Sequence, residues 1–342
     1  MAEMNYVESL KESMYIPSEE LVDDMKEIDG DIMILGVSGK MGLNLAKLVK
    51  RASNKSESMK KIYGVARFSE SDGIREELES EGIETIKCDF MSENQLEGLP
   101  KVKNVIYMVG YKFGTVGNED YAWAINSYLP GRIASKYKDS NIVAFSTGCV
   151  YPLVKMSEGA PSEEFPPEAV GEYAQSCLGR ERIFQYFSKQ NKTPTTIFRL
   201  NYAIDLRYGI VSEIAQSVLN EWPIDLTMGH ANVIWQKDAC EMAIRSLRVA
   251  STPANIINVT GPETVSIRWM AERFAEKFNK TPKFIGSESD IALLSNASKA
   301  HAIFGYPKTT IREMIDITSE WLLNGGDTID KPTHFQERQG KY

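Results

Sequence analysis

With 342 residues, a formal net charge of −8, 42% hydrophobic and 25% charged residues, the chain reads as a soluble globular protein, long enough for two domains or one large domain with a lobe. The acidic balance argues against a nucleic-acid or anionic membrane partner, and no apolar run approaches the roughly 18 residues needed to cross a bilayer. Cys88, Cys149, Cys177 and Cys240 are scattered without a CxxC and only three histidines occur, so neither disulfides nor a metal site is expected.

Met1 to Lys11 is polar and acidic, unlike a signal peptide, which with the cysteine usage makes the cytoplasm the expected compartment. Residues 1–29 form an N-terminal helical extension: Ser18 reads as a helix cap and Leu21, Val22, Met25 and Ile28 as an apolar face, expected to pack outside the fold or across a subunit boundary. From Asp31, the apolar run Ile32 to Leu35 ends in Gly36-x-x-Gly39-x-x-Gly42, and Met41, Leu45, Leu48 and Val49 follow at helical spacing. Strand, tight turn and helix ask for glycine at these places. Gly36 turns the chain, Gly39 lets backbone approach a pyrophosphate, and Gly42 lets helix and strand pack closely. Ser38, Lys40 and Met41 complete the turn, and the helix start offers N–H groups to phosphates.

A second strand, Lys61 to Arg67, follows, then a helix over 73–81, strands at 83–89 and 102–109, a helix over 121–137, a strand over 141–145 ending at Ser146-Thr147, a Pro-rich loop, a helix over 172–190 and a strand over 195–200. This alternation predicts an α/β fold, a Rossmann-type doubly wound parallel sheet over 30–200 covered on both faces. Ligands collect at the carboxyl ends of such strands, here Gly36–Gly42, Arg67, Asp89, Val109-Gly110-Tyr111-Lys112, Ser146-Thr147 and Asn201-Tyr202. Residues 201–325 read as a smaller α/β substrate lobe from which segments can return to the sheet, and 326–342 as a polar, loosely ordered tail.

From Asp31 to Leu323 the chain resembles the extended short-chain dehydrogenases/reductases, the NAD-dependent epimerase/dehydratase family. The resemblance rests on the three glycines, Asp89, Asn126, Ser146-Thr147-Gly148-Cys149-Val150-Tyr151, Tyr173, Arg199-Leu200-Asn201-Tyr202 and Val233 to Ala239. It implies a tyrosine general acid/base at Tyr173, a Ser/Thr at Thr147 beside Ser146, and a homodimer formed through the helices near 121–137 and 172–190. The family's lysine, four residues after the tyrosine, holds the nicotinamide ribose and lowers the tyrosine pKa by its charge. Here that position is Cys177.

Three explanations stand side by side: Lys112 or Arg180 supplies the charge; a neutral Tyr173 serves as proton donor, which suits ketone reduction; or the site only binds. A nucleophilic Cys177 has no histidine partner in the sequence and reads better as a packing residue. Gly148 and Cys149 stand where dehydratases carry Asp-Glu, which disfavours dehydration.

At the end of the second strand Arg67 replaces the acidic residue that accepts the NAD ribose, so NADP is expected over NAD. Asp89 and Phe90 are expected on the adenine side, with Val109, Gly110, Asn126 and Tyr202 also at the cofactor. Tyr111, Asn201, His230, Asn232 and Trp235 are the substrate candidates, with Arg199 and Arg207 the nearest arginines for a diphosphate. The expected activity is an NAD(P)-dependent oxidoreductase or epimerase acting on a sugar, sugar-nucleotide or related carbonyl or secondary alcohol; the alternative is a catalytically degenerate dinucleotide-binding sensor.

Overall fold

A computed structural model of the protein describes residues 6–68, 73–329 and 331–341. Seven parallel strands form one sheet in the order Asn255–Val259, Thr195–Leu200, Asn141–Thr147, Asn104–Tyr107, Ile32–Leu35, Ile62–Ala66, Glu84–Lys87. Leu35 stands beside both Val65 and Tyr107, and Thr147 beside Leu200. Ile32–Leu35 and Asn104–Tyr107 are buried along their whole length, which is why they read as unbroken apolar runs. The strand order reverses between these two, and that reversal opens a crevice above their carboxyl ends.

One face of the sheet is covered by helices Gly42–Lys55 and Gln236–Arg245, with Leu45, Leu48, Ile106, Val143, Phe198 and Ala243 in the core between. The other is covered by Leu129–Lys136 and Gly171–Asn191, over Met33, Tyr107, Ile133 and Phe184. A separate apolar core joins helices Ile210–Leu219, Ile267–Phe278 and Ile311–Leu323 in the lobe. The segment Asn255–Val259 leaves the lobe to become the sheet's seventh strand, parallel to Thr195–Leu200.

The second helix packs on the outside of the fold through its apolar face, and the tail is more tightly built in than its composition suggested. Helix Glu19–Glu27 packs against Gly42–Lys55 and Gln236–Arg245 with Leu21 and Met25 fully buried. Ser18 caps it by accepting from the Leu21 N–H, and donates to the Glu241 carboxylate. Asp24 pairs with Arg245 and Arg248. The tail, expected to be loose, is anchored by Phe335, which is 1% exposed in the lobe core. Further along, Gly340 meets Gly171 so closely that a Cβ on Gly171 would stand 2.4 Å from the Gly340 carbonyl oxygen.

Candidate active site

A groove of about 210 Å³ lies over the crevice, lined by Gly36, Ser38, Gly39, Arg67, Asp89, Phe90, Val109, Gly110 and Tyr111. Gly36 has φ +93°, and a Cβ there would come 3.0 Å from the Val109 nitrogen. A Cβ on Gly42 would come 2.1 Å from the Val37 carbonyl oxygen, so helix Gly42–Lys55 starts in direct contact with the turn. That helix has no side-chain cap at Met41, which leaves first-turn N–H groups for an anion. Gly39 is exposed. The groove therefore fits a dinucleotide: pyrophosphate at the glycine turn, Arg67 at the ribose end, and Asp89 and Phe90 beside the base. Asp89 is held in place by accepting from the Met91 N–H at 3.0 Å.

A second cavity of about 240 Å³ adjoins the groove, lined by Lys40, Met41, Lys112, Phe113, Ser146, Thr147, Cys149, Tyr173, Asn201, Tyr202, Tyr208, Gln236 and Thr333, among others. Tyr173, in the first turn of Gly171–Asn191, is hydrogen-bonded to Thr147, whose hydroxyl oxygen also accepts from the Cys149 N–H at 3.1 Å. Burial raises the Tyr173 hydroxyl well above its ordinary value of 10.0; the Cys177 and Cys149 thiols add to this, while Arg180 and the Thr147 hydrogen bond pull it down. Cys177, one turn on, is buried among Val150, Tyr151, Tyr173 and Leu178, and burial pushes its thiol up. A neutral packed thiol is no nucleophile, in line with the packing reading.

Two cations flank Tyr173. The Lys112 ammonium lies 5.7 Å from the ring centroid. Arg180, two turns along the same helix face, is buried behind it and donates to the Phe145 carbonyl at 2.9 Å and the Asn126 side-chain oxygen at 2.7 Å. Pro130 helps make this seat. The run Ala124–Tyr128 is one wide helical turn, and Pro130 has no N–H to give the Asn126 carbonyl four residues earlier, so that oxygen accepts from Arg180 Nε at 3.3 Å instead.

Several candidates sit elsewhere than expected. Asn126 is fully buried and spends its amide on the Tyr111 N–H and C=O, both at 2.8 Å, on Ser176 and on Arg180, so it shapes the groove wall from behind. Tyr111 belongs to the dinucleotide groove and not to the Tyr173 cavity, whereas Tyr202 faces that cavity with a strained φ of +43°. The Ser146 hydroxyl donates to Glu181 at 2.5 Å. Glu181 forms a buried two-pronged pair with Arg199, and Arg199 also donates to the Tyr151 hydroxyl at 2.6 Å. Arg199 is thus committed inside the fold and cannot reach a diphosphate.

His230, Asn232 and Trp235 do not line the Tyr173 cavity. His230 pairs with Ser266 in a short two-strand ladder. Asn232 holds the Glu263 carbonyl and the Ser295 N–H, both at 2.9 Å, and Trp235 is core of the lobe. Side chains that lobe residues 230–235 were expected to supply come instead from Phe113, Tyr208, Gln236 and Thr333, and from Lys40, whose side chain points into the cavity. Phe113, Tyr208 and Thr333 carry no motif, while Lys40 and Gln236 lie within the glycine turn and the Val233–Ala239 stretch without being read as substrate contacts; Pro130 four residues after Asn126 hinted at the Arg180 seat.

No curated protein matches the sequence. Among solved structures, MoeE5 in complex with UDP-glucose and NAD superposes with a TM-score of 0.68 at 16% identity, over 86% of this chain and 98% of that one. The UDP-glucose 4-epimerase of Thermus thermophilus in complex with NAD gives 0.69 at 18% identity, over 86% and 99%. The Bacillus cereus UDP-glucuronic acid 4-epimerase in complex with NAD gives 0.69 at 16% identity, over 86% and 98%. At such identities the likeness is one of fold. Residues 32–204, just over half of the chain and the stretch that holds the glycine turn, Thr147 and Tyr173, match the NAD dependent epimerase/dehydratase family, and the protein belongs to that family.

Proposed function

We propose that the protein is an NAD(P)-dependent oxidoreductase or epimerase acting on a sugar, a sugar-nucleotide or a related carbonyl or secondary alcohol, with its chemistry weighted towards carbonyl reduction. The observation that carries this reading is the hydrogen-bonded Tyr173–Thr147 pair in a cavity whose lining residues Lys40 and Lys112 directly follow Gly39 and Tyr111 of the dinucleotide groove. Bound nicotinamide supplies the hydride chemistry. The chain's own part is to hold the substrate oxygen between Thr147 and Tyr173 and to move a proton at the Tyr173 hydroxyl.

In a lysine-assisted site the tyrosine is ionised near neutrality. Here burial outweighs Arg180, Tyr173 stays protonated, and a protonated phenol can give a proton to a developing alkoxide. Arg180, whose charge pulls the Tyr173 hydroxyl down, favours the phenolate left after transfer. Arg67 at the groove's ribose end supports NADP, because a guanidinium pairs with a 2′-phosphate and an acidic side chain would repel it.

The solved neighbours named above were captured with NAD, and MoeE5 also with UDP-glucose, which makes nucleotide sugars the first substrates to try. A homodimer is supported by Tyr128 and Tyr186, both 60% exposed, one on each of the two helical stretches 119–136 and 171–191. The four free thiols suit a reducing compartment such as the cytoplasm.

The test is oxidation of NADPH by 4-keto sugar nucleotides and reduction of NADP+ by 4-hydroxy sugar nucleotides and free sugars, followed at the nicotinamide absorbance, with epimerisation, which leaves no net change there, followed by the epimer formed. Tyr173→Phe should lower kcat by roughly 10²–10⁴-fold and leave dinucleotide affinity intact. Dinucleotide binding with no turnover across the panel favours the sensor reading, which the missing lysine at Cys177 keeps in play.

A further inference from the structure

Two donors in the Tyr173 cavity have nothing to donate to. The Lys40 ammonium and the Asn201 side-chain nitrogen are both buried without a hydrogen-bond partner among the described residues, and both residues line this one cavity. Buried polar groups in folded proteins are nearly always paired, and an ammonium is among the costliest to leave bare. Lys40 rests against aromatic faces, 3.2 Å from the Tyr208 ring centroid and 4.7 Å from that of Phe113, which tolerate a cation but offer no acceptor atom.

The surrounding charges sharpen the point. Burial, then the positive charges of Lys112 and Lys331, lower the Lys40 pKa to about 8, with Asp205 pulling the other way. Asp205 is already engaged, accepting from the Arg207 and Tyr208 N–H groups at 2.9 and 2.8 Å and from Gln236. Lys331 arrives from the tail, which Phe335 pins in the lobe core and Thr333 fastens by donating its N–H to Glu213 at 2.9 Å. Lys40 and Lys112, from the glycine turn and the loop after Asn104–Tyr107, thus line one cavity, Lys331 of the tail lines the neighbouring one, and the Asp205 carboxylate that acts on Lys40 is spent on other donors.

We infer that this end of the cavity is a subsite for an oxyanion carried by the substrate, a carboxylate or a phosphoryl group, held by Lys40 and Lys112 with Asn201 donating a hydrogen bond beside it, and with Lys331 adding its positive charge from the neighbouring cavity. The inference rests on the reading that the cavity takes a sugar-type substrate. The pyrophosphate of the dinucleotide is a poorer occupant, since Lys40 does not line the groove and its ammonium lies against Tyr208 of the lobe. The tail becomes part of the substrate site, and a neighbouring cavity of about 270 Å³ behind Tyr208 and Thr333, bounded by Arg207 and Trp222, gives room for the rest of a larger molecule.

The experiment titrates the dinucleotide-saturated protein with glucose, glucuronate, glucose 6-phosphate and UDP-glucose by calorimetry. At least one of the anionic ligands should bind tenfold or more tighter than glucose, and comparison of glucuronate with glucose 6-phosphate assigns carboxylate or phosphoryl. Lys40→Met and Lys331→Met should each erase about tenfold of that preference, with Lys331→Met leaving dinucleotide affinity unchanged. Anions that bind no tighter than glucose, or not at all, overturn the subsite. So does a Lys40→Met protein that loses dinucleotide affinity while keeping its anion preference. Tyr173-dependent turnover of neutral sugars without anion preference would overturn the subsite and leave the proposed activity standing; failure to bind any dinucleotide would overturn both.

Discussion

Replacing Glu181, on the face of helix Gly171–Asn191 that packs on the sheet, by leucine should be among the most damaging single changes in the protein. Glu181 is fully buried and accepts from Arg199 Nε at 2.9 Å and Nη2 at 2.6 Å, and from the Ser146 hydroxyl at 2.5 Å. Without the carboxylate, the Arg199 guanidinium, 1% exposed, keeps only the Tyr151 hydroxyl, and the Ser146 hydroxyl loses its acceptor. Stranding one partner of a buried pair costs about 3–5 kcal/mol. At roughly 2–4 °C per kcal/mol for chains of a few hundred residues, Tm should fall on the order of 10 °C. The double variant Glu181→Leu/Arg199→Met removes the charge together with its counter-charge, and Tyr151 still has Asn258 at 2.9 Å, so most of the loss should return. Urea unfolding followed by far-UV circular dichroism, with m held common, measures the cycle. A single variant within about 1 kcal/mol of the parent, or a double variant no better than the single, would refute the claim that Arg199 is structurally committed.

Arg67→Ala should weaken NADP+ by about 1.5–3 kcal/mol, the worth of a charge-assisted contact, and spare NAD+; equal loss for both cofactors would remove the 2′-phosphate assignment. With Tyr173 titrating above 10, the kcat for reduction should stay level through the neutral range with no alkaline fall below about pH 10, and oxidation should speed up as pH rises. Because the folded state holds this proton more tightly than the unfolded chain, stability should decline above that pH; a reductive profile breaking near pH 7 would show an ionised tyrosine instead. Gly42→Ala places a Cβ 2.1 Å from the Val37 carbonyl oxygen, so dinucleotide affinity should collapse along with stability, as calorimetric titration and thermal melting would report. Phe335→Ala, which empties a ring site in the lobe core, should cost about 3–5 kcal/mol, read by denaturant unfolding, and should raise KM by loosening Lys331 and Thr333.

The sheet and the dinucleotide groove were legible in the chain because their requirements are local. A buried parallel strand must be apolar along its length, as Ile32 to Leu35 is, and the turn after it needs glycine at Gly36 and Gly42 whatever the rest of the molecule does. Tyr173 and Thr147 were picked out through the family resemblance and not from spacing or periodicity, and the structure joins them by a hydrogen bond. The substrate side was not readable. His230, Asn232 and Trp235, taken as ligands from the resemblance, lie outside the Tyr173 cavity in a strand ladder, a hydrogen-bonded loop and the lobe core, while Lys40, Tyr208 and Thr333 came together from positions up to 293 residues apart, 40 to 333 in the numbering. Arg180 and Arg199 are the sharpest contrast. Both are arginines on elements beside the site, and only the partners waiting in three dimensions, an Asn126 carbonyl freed by Pro130 in one case and the Glu181 carboxylate in the other, set one behind the tyrosine and bury the other in a structural pair. Backbone demands are written over a few residues and survive in the sequence; the pairing of a charge depends on where distant chain segments meet, and that was decided by the fold.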